Sequence, residues 1–276
     1  MRVVASIWVL AACGRYGFSP TDTAADGAVG GSAIVKPDGA AMSDGGVAID
    51  SPPGVGSYTL TDSTAPYMLL SGAVVPGFVV LADDENYEMA LPFTFRFYGV
   101  DYTSVTISMN GYLTFDAPVT GIETQVNDCG LDATPPGATI AVFWDDLYAN
   151  NNAPSTGALS YLVDGAAPDR RLTVEWRDMD AYYPAGTQSF TQGVRVTHEV
   201  VLHETGTIEM RYGPRTPPVS PNKDCGADRH RGCSATIGLE ASGSQLFDNV
   251  QCGTAAGPGP GYTPIDEGRM FTFVPN

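Results

Sequence analysis

The chain has 276 residues, with 31 acidic against 14 basic side chains and a formal net charge of −17. A surface this acidic repels phosphate backbones and anionic headgroups, so nucleic-acid binding and electrostatic recruitment to membranes are excluded first. Hydrophobic residues form 43% of the chain, enough for a core, while 32 glycines and 21 prolines argue for many turns rather than long helices.

In chain order, Met1-Arg2 is a short charged cap and Val3 to Leu10 an apolar run that leads through Ala11-Ala12 into Cys13. That eight-residue run, interrupted by Ser6, is too short to cross a bilayer, which takes ~20. The layout over residues 1–12 is that of an export signal. Residues 13–56 then repeat Asp-Gly pairs (Asp26-Gly27, Asp38-Gly39, Asp44-Gly45) among Ala, Ser and Gly, and close on Pro52-Pro53-Gly54. Large apolar side chains are too sparse there to offset chain entropy, so a disordered tether is expected. Its root-mean-square span would be roughly 35 Å, enough to lift a domain clear of a membrane surface.

From residue 57 to 276 the dominant period is two, as expected for strands with one buried face. Phe93, Phe95 and Phe97 alternate with Thr94 and Arg96. Val105, Ile107 and Met109 alternate with Thr106 and Ser108, and Asn110-Gly111 leads into Tyr112-Leu113-Thr114-Phe115. An Asn-Gly pair between alternating runs predicts a hairpin with a type I′ turn, because both residues tolerate positive φ. Thr139 to Trp144 is a continuous apolar strand, and Leu172, Val174 and Trp176 alternate with Thr173 and Glu175. Val194, Val196, His198, Val200 and Leu202 line one face of a long strand, which Glu204-Thr205-Gly206-Thr207 turns back into Ile208, Met210 and Tyr212. Ala235 to Leu239 and Met270 to Val274 complete the set. Many short strands without a long apolar helical stripe predict one all-β domain, an antiparallel sandwich or jelly roll.

Three constellations invite a chemical reading. His198-Glu199-Val200-Val201-Leu202-His203 nearly matches the zinc-protease His-Glu-x-x-His, but that motif needs its histidines four apart on a helix. Five apart on a strand, they point to opposite faces, which predicts His198 at the core edge and His203 in solvent. Gly232-Cys233-Ser234-Ala235-Thr236 lacks the second glycine of a nucleophile elbow, and His230 with Arg229 and Arg231 reads as a solvated loop. The acidic runs Asp83-Asp84-Glu85, Asp145-Asp146 and Asp178-Met179-Asp180 fall at predicted strand ends, where carboxylates and carbonyls could coordinate Ca²⁺. A calcium site at Asp145 and Asp146 with Asp83 and Asp84 is the one cofactor expectation. No catalytic residue is identified, and the chain is not expected to be an enzyme; a hydrolase using loop carboxylates and a structural envelope component are the alternatives.

Two resemblances add to this. Leu10-Ala11-Ala12-Cys13 is similar to a bacterial lipobox, which implies cleavage before Cys13 and lipidation of its thiol. Gly14, rather than an aspartate, follows the cysteine; by the same resemblance this implies the outer membrane. The succession Leu91-Pro92-Phe93-Thr94-Phe95, Phe97-Tyr98-Gly99, Asn110-Gly111-Tyr112-Leu113-Thr114-Phe115, Ile140 to Leu147, Thr173-Val174-Glu175-Trp176, His198 to Gly206 and Ile208 to Gly213 resembles the extracellular nidogen-like domain over roughly residues 66 to 240. The chain departs from that pattern at His198, where an aromatic is usual, and in an insertion carrying Cys225 and Cys233. The resemblance implies an extracellular β-rich interaction module and supplies no catalytic residue; an unknown protein or glycan at the cell surface is the expected partner.

With Cys13 set aside, Cys129, Cys225, Cys233 and Cys252 remain. An exported chain meets an oxidising compartment, so two disulfides are expected, and four cysteines allow three pairings. The spacing of Cys225 and Cys233 fits no common zinc knuckle. Cys225–Cys233 closing a polar loop and Cys129–Cys252 joining two distant loops is the predicted pairing.

Overall fold

The structure is a computed structural model that describes residues 47–48, 56–71, 83–117, 127, 137–149, 157–181, 193–217, 225, 228–243, 247–254, 257–259 and 261–276. All of them belong to the unit Ser43–Asn276. The predicted signal, Cys13 and almost all of the tether therefore lie outside the described residues.

Two antiparallel sheets pack face to face. The larger runs in the order β1 (Val47–Ala48), β2 (Tyr58–Thr64), β16 (Arg269–Pro275), β11 (Ile208–Thr216), β10 (Arg195–His203), β9 (Arg171–Ala181) and β7 (Leu147–Tyr148), with β8 (Ala158–Asp164) also pairing β9. The second runs β13 (Phe247–Gln251), β12 (Thr236–Glu240), β6 (Thr139–Trp144), β5 (Tyr112–Thr114), β4 (Val100–Ser108) and β3 (Asn86–Phe97). A two-stranded ribbon joins β14 (Gly253–Thr254) to β15 (Gly257–Pro258). Among the described residues there is no α-helix, only a 3₁₀ turn over Arg229–Arg231. The all-β sandwich expected from period-two patterning is what forms.

The alternating residues do fill the core. Phe95, Phe97, Ile107, Met109, Val174, Trp176, Val200, Met210 and Tyr212 are almost wholly removed from water and belong to one continuous cluster. At ~25 cal/mol per Å² of buried apolar surface, such a cluster is the main stabilising term. Two aromatic side chains also tie the sheets by their polar ends. Trp176 Nε1 donates to the Ser108 carbonyl at 2.8 Å, and the Tyr212 hydroxyl donates to the Val142 carbonyl at 2.8 Å. Burying these rings leaves no donor orphaned.

The β4–β5 hairpin forms where Asn110-Gly111 predicts it, but not with a two-residue type I′ turn. Ser108 pairs Tyr112, so the loop is Met109-Asn110-Gly111, and of its residues Gly111 alone has positive φ, at 80°. The reason is the strand behind it. Val142 N and Phe143 N both donate to the Gly111 carbonyl, and a Cβ at Gly111 would lie 2.2 Å from the Phe143 carbonyl oxygen. Only glycine fits that close backbone approach. Asn110 serves instead through its side chain.

Candidate functional site

Asn110 is the hub of an acidic end of the sandwich. Its Nδ2 donates to Asp84 Oδ1 at 3.0 Å, and its Oδ1 accepts from Leu147 N at 2.8 Å. The run Asp83–Asp84 enters β3, while Asp145–Asp146 leaves the apolar β6 and precedes β7. One buried turn thus holds the two acidic segments side by side. The charges of Asp145, Asp83 and Asp84 all act on Asp146.

Their environments differ. Asp145 is only 2% exposed. Its carboxylate accepts from Ser234 Oγ at 2.6 Å and from Asp146 N at 3.0 Å, and lies 3.4 Å from Arg229 Nη2. Arg229 is itself 3% exposed, so this is a buried ion pair with hydrogen-bonded support. Asp146 is half-buried and its carboxyl is pushed up to about 7. Burial is the largest cause; Asp145, Asp83 and Asp84 add repulsion, and Arg229 offsets part of it. Burial and the charges of Asp84 and Glu85 likewise raise Asp83, which is exposed. Among the described residues Arg229 pairs with Asp145 and offsets part of the charge around Asp146, while Asp83 and Asp84 add to that charge from the β3 side.

The end is braced by the cysteine loop. Cys225–Cys233 is a disulfide, as the sequence predicts, and it closes the segment carrying the 3₁₀ turn. Cys252 is disulfide-bonded too; its predicted partner Cys129 lies outside the described residues. The loop is not the solvated element its polarity suggests. Arg229 points inward to Asp145, Arg231 Nε donates to Asp266 Oδ1 at 2.8 Å, and the His230 carbonyl accepts from Arg215 Nη1 at 2.7 Å. Arg229 turns inward because Asp145 supplies its partner, while Arg231 pairs at the surface with Asp266. Asn127 is also buried, its amide donating to the carbonyls of Trp144, Ser234 and Gly253.

The other constellations resolve as structure. His198 and His203 do point to opposite faces, but His198 is at the centre of the core rather than its edge. It has no exposed surface and stacks between Trp176 at 5.1 Å and Phe143 at 5.4 Å. Among the described residues neither ring nitrogen has a hydrogen-bond partner, and burial, helped by the Arg215 charge, holds the ring well below its usual pKa range. Its stacking fills the place of the aromatic usual in the resembled pattern. His203 is not free in solvent: its Nε2 lies 3.1 Å from Glu209 Oε1. Asp178–Asp180 lies at the C-terminal end of β9, past a local irregularity opposite Val196 and His198. Both carboxylates lie 3.5 Å from Arg195. Ser234 is buried and donates to Asp145, so it is a bracing hydroxyl and not an exposed nucleophile. Among the described residues, no group of three or more His, Cys, Asp or Glu side chains is arranged to hold a metal ion.

Sequence reasoning missed Asn110 as a hub, Arg229 as the counter-ion and Ser234 as a donor. It also missed a carboxylate pair, Glu175 and Glu199, on the outer face of the larger sheet. A period-two reading that places the neighbours of both inward puts these two glutamates outward and directly opposite; that register was the available signal. A family model described as NIDO related matches residues 57–275. The match is wider than the resemblance read from motifs, because it takes in β2 and β16, which pair to close the larger sheet. No curated protein and no solved structure matches the chain.

Proposed function

The chain belongs to the NIDO-related family, and from that premise we propose that it is an exported binding module, held at the cell envelope by a lipid on Cys13 and working by recognition rather than catalysis. The observation that carries this reading is the family match over the whole sandwich. Bonded Cys225, Cys233 and Cys252 support export, since structural disulfides persist in oxidising compartments. Leu10-Ala11-Ala12-Cys13 followed by a Gly- and Asp-rich stretch supports a lipid anchor and tether, with the outer membrane as the address. The partner is a protein or glycan at the cell surface, neutral or cationic in keeping with the net charge of −17. The recognition surface is the acidic end, where Asp83, Asp84 and Asp146 carry more negative charge than Arg229 balances.

Two experiments test this. Cys13→Ser should release the protein from membranes or block its processing; unchanged fractionation and mass would remove the anchor. The full chain immobilised in its folded state should retain envelope or extracellular material that the heat-denatured chain does not. Equal retention by both would overturn the binding reading.

A second reading starts from the raised Asp146 carboxyl, to which the charges of Asp145, Asp83 and Asp84 contribute, although no three acids among the described residues are arranged as a metal site. A divalent cation such as Ca²⁺ would relieve that repulsion, with backbone carbonyls completing the six to eight oxygens it takes. Binding to the folded state alone would raise stability by about 2.7 kcal/mol at a hundredfold excess over the dissociation constant. Equal melting midpoints in millimolar calcium and in chelator would remove the ion from the account.

A further inference from the structure

The outer face of the larger sheet holds two acids where a sheet ordinarily avoids them. Glu175 on β9 and Glu199 on β10 are directly opposite in the ladder and are 0% and 3% exposed. Like charges at directly opposed positions are destabilising. Two arginines answer them. Arg177 Nε donates to Glu175 Oε1 at 2.6 Å, and Arg211 Nη1 donates to Glu199 Oε1 at 3.0 Å. Arg211, however, is shared: it also donates through Nε to Glu209 Oε2 at 2.9 Å, and a second contact to the same oxygen comes from Nη2.

Residues 65–70 cross over this pair. At one end Ala65 N donates to the Gly268 carbonyl at 2.7 Å. The Tyr67 ring then lies against Gly213 of β11, where a Cβ would come within 2.8 Å of the ring carbons. From that seat the Tyr67 hydroxyl donates to Glu175 Oε2 at 3.1 Å. Leu70 N donates to the same oxygen at 2.9 Å, and Arg177 Nη2 donates to the Leu70 carbonyl at 2.8 Å. Between these fastenings Met68 is 80% and Leu69 51% exposed. The Tyr67 ring and the polar fastenings at Glu175 and Arg177 therefore hold the crossing, with Met68 and Leu69 contributing little burial.

We infer that residues 65–70 are a proton-operated strap, closed over the Glu175–Glu199 pair while Glu199 is protonated and loosened when Glu199 is charged. The charged and titratable groups around Glu199 are Glu175 and Arg177 from β9, Glu209 and Arg211 from β11, Tyr67 from the strap and, through Glu209, His203 at the end of β10. Three glutamates thus meet two arginines, with His203 Nε2 3.1 Å from Glu209 Oε1 on the far side. The proton settles on Glu199, whose carboxyl is pushed up to about 7 chiefly by burial, with Arg211 offsetting part and Glu175 and Glu209 adding to it. Glu209 does not compete for it, being held at about 2, first by its hydrogen bond with His203. The Tyr67 hydroxyl is raised far above its usual range by burial and by both glutamates, so it stays a donor throughout.

The sign follows from linkage. Closed, Glu199 binds its proton more tightly than when open to water, where it returns toward the ordinary 4.5. Closure is therefore strongest below that value, weakens as pH rises toward about 7, and levels off above. One linked proton limits the change to about tenfold per pH unit.

Amide hydrogen exchange on the full-length chain reads this directly, at Leu70 with Leu202 in core strand β10 as the internal reference. After correction for intrinsic exchange, Leu70 protection should fall more than about tenfold between pH 5 and 7 while Leu202 stays fixed. Glu199→Gln should abolish the pH dependence and keep Leu70 protected. Tyr67→Phe should lower protection at pH 5 yet retain the fall, because it removes a fastening and leaves the titrating carboxyl. A flat wild-type profile, a fall that persists in Glu199→Gln, or Leu70 protection untouched by Tyr67→Phe would each overturn the strap.

Discussion

The acidic end and the outer face of the larger sheet pose the same problem, buried carboxylates in excess of their arginines, and solve it differently. At the end, Asp145 takes the one buried arginine and a serine hydroxyl, while the surplus charge is left on Asp83, Asp84 and Asp146 near water. On the face, Glu175 and Glu199 are both sealed beneath Tyr67, and the surplus is carried as a retained proton. Repulsion that water can reach is available to a partner; repulsion sealed from water can only be relieved by titration. Hence the proposed recognition belongs to the end and the proposed proton response to the face.

The largest expected effect breaks the brace behind the acidic end. Asp145→Ala leaves Arg229 buried without its counter-ion, and loss of about 3–5 kcal/mol is expected for an orphaned buried charge. Urea unfolding checks it; a loss below 1 kcal/mol would mean that the pair does not anchor this end. Opening the cysteine loop should cost less. The bridge spans a sequence separation of 8, and Cys225→Ser with Cys233→Ser should lower stability by about 2–3 kcal/mol in the chain-entropy account. Calorimetry of oxidised wild type against the double variant measures it.

These two effects also mark what sequence could not supply. The strands were legible wherever one face was wholly apolar: Phe95 and Phe97, Ile107 and Met109, Val174 and Trp176, Val200 and Leu202 announce themselves by alternation. β2 was not, because Thr59, Thr61, Asp62 and Ser63 give the sheet border a polar composition. Nor was β8, where neighbours Leu159 and Ser160 are both buried and blur the period. The acidic runs were visible as composition, but their partners were not. Asn110 reaches Asp84 across 26 positions and Leu147 across 37, and Arg229 reaches Asp145 across 84. No local spacing encodes such contacts. The hairpin at Asn110-Gly111 was readable, whereas its three-residue turn was dictated by β6 pressing from behind.

Smaller effects separate the acidic end from the core by pH. His198 is held neutral, so its folded pKa is depressed, and stability present above its ordinary value of about 6.5 is lost as pH falls below it. His198→Phe keeps the stacked ring and removes the titration. It should gain on wild type as pH drops from 6.5, by up to ~1.4 kcal/mol per unit, with no such trend at pH 8. Asp146 has the opposite sign: its raised carboxyl is most favourable below about 4 and costs stability as pH rises to about 7. Asp146→Asn should therefore stabilise the protein above pH 7, by about 1 kcal/mol once solvent screening is allowed for. Denaturant midpoints at pH 5 and 8 test both, and parallel shifts at the two pH values would contradict them.

The central claim, that the water-reached surplus at Asp83, Asp84 and Asp146 is the recognition surface, is tested most directly by a binding difference between two folded proteins. Wild type and the triple variant Asp83→Asn, Asp84→Asn, Asp146→Asn, both anchored through the tether, are exposed to the same envelope and extracellular fractions at low and physiological salt. The account predicts that the triple variant, no less stable, retains at least tenfold less of the specifically bound material and loses the salt dependence shown by wild type. Equal retention with an unchanged salt response would contradict it.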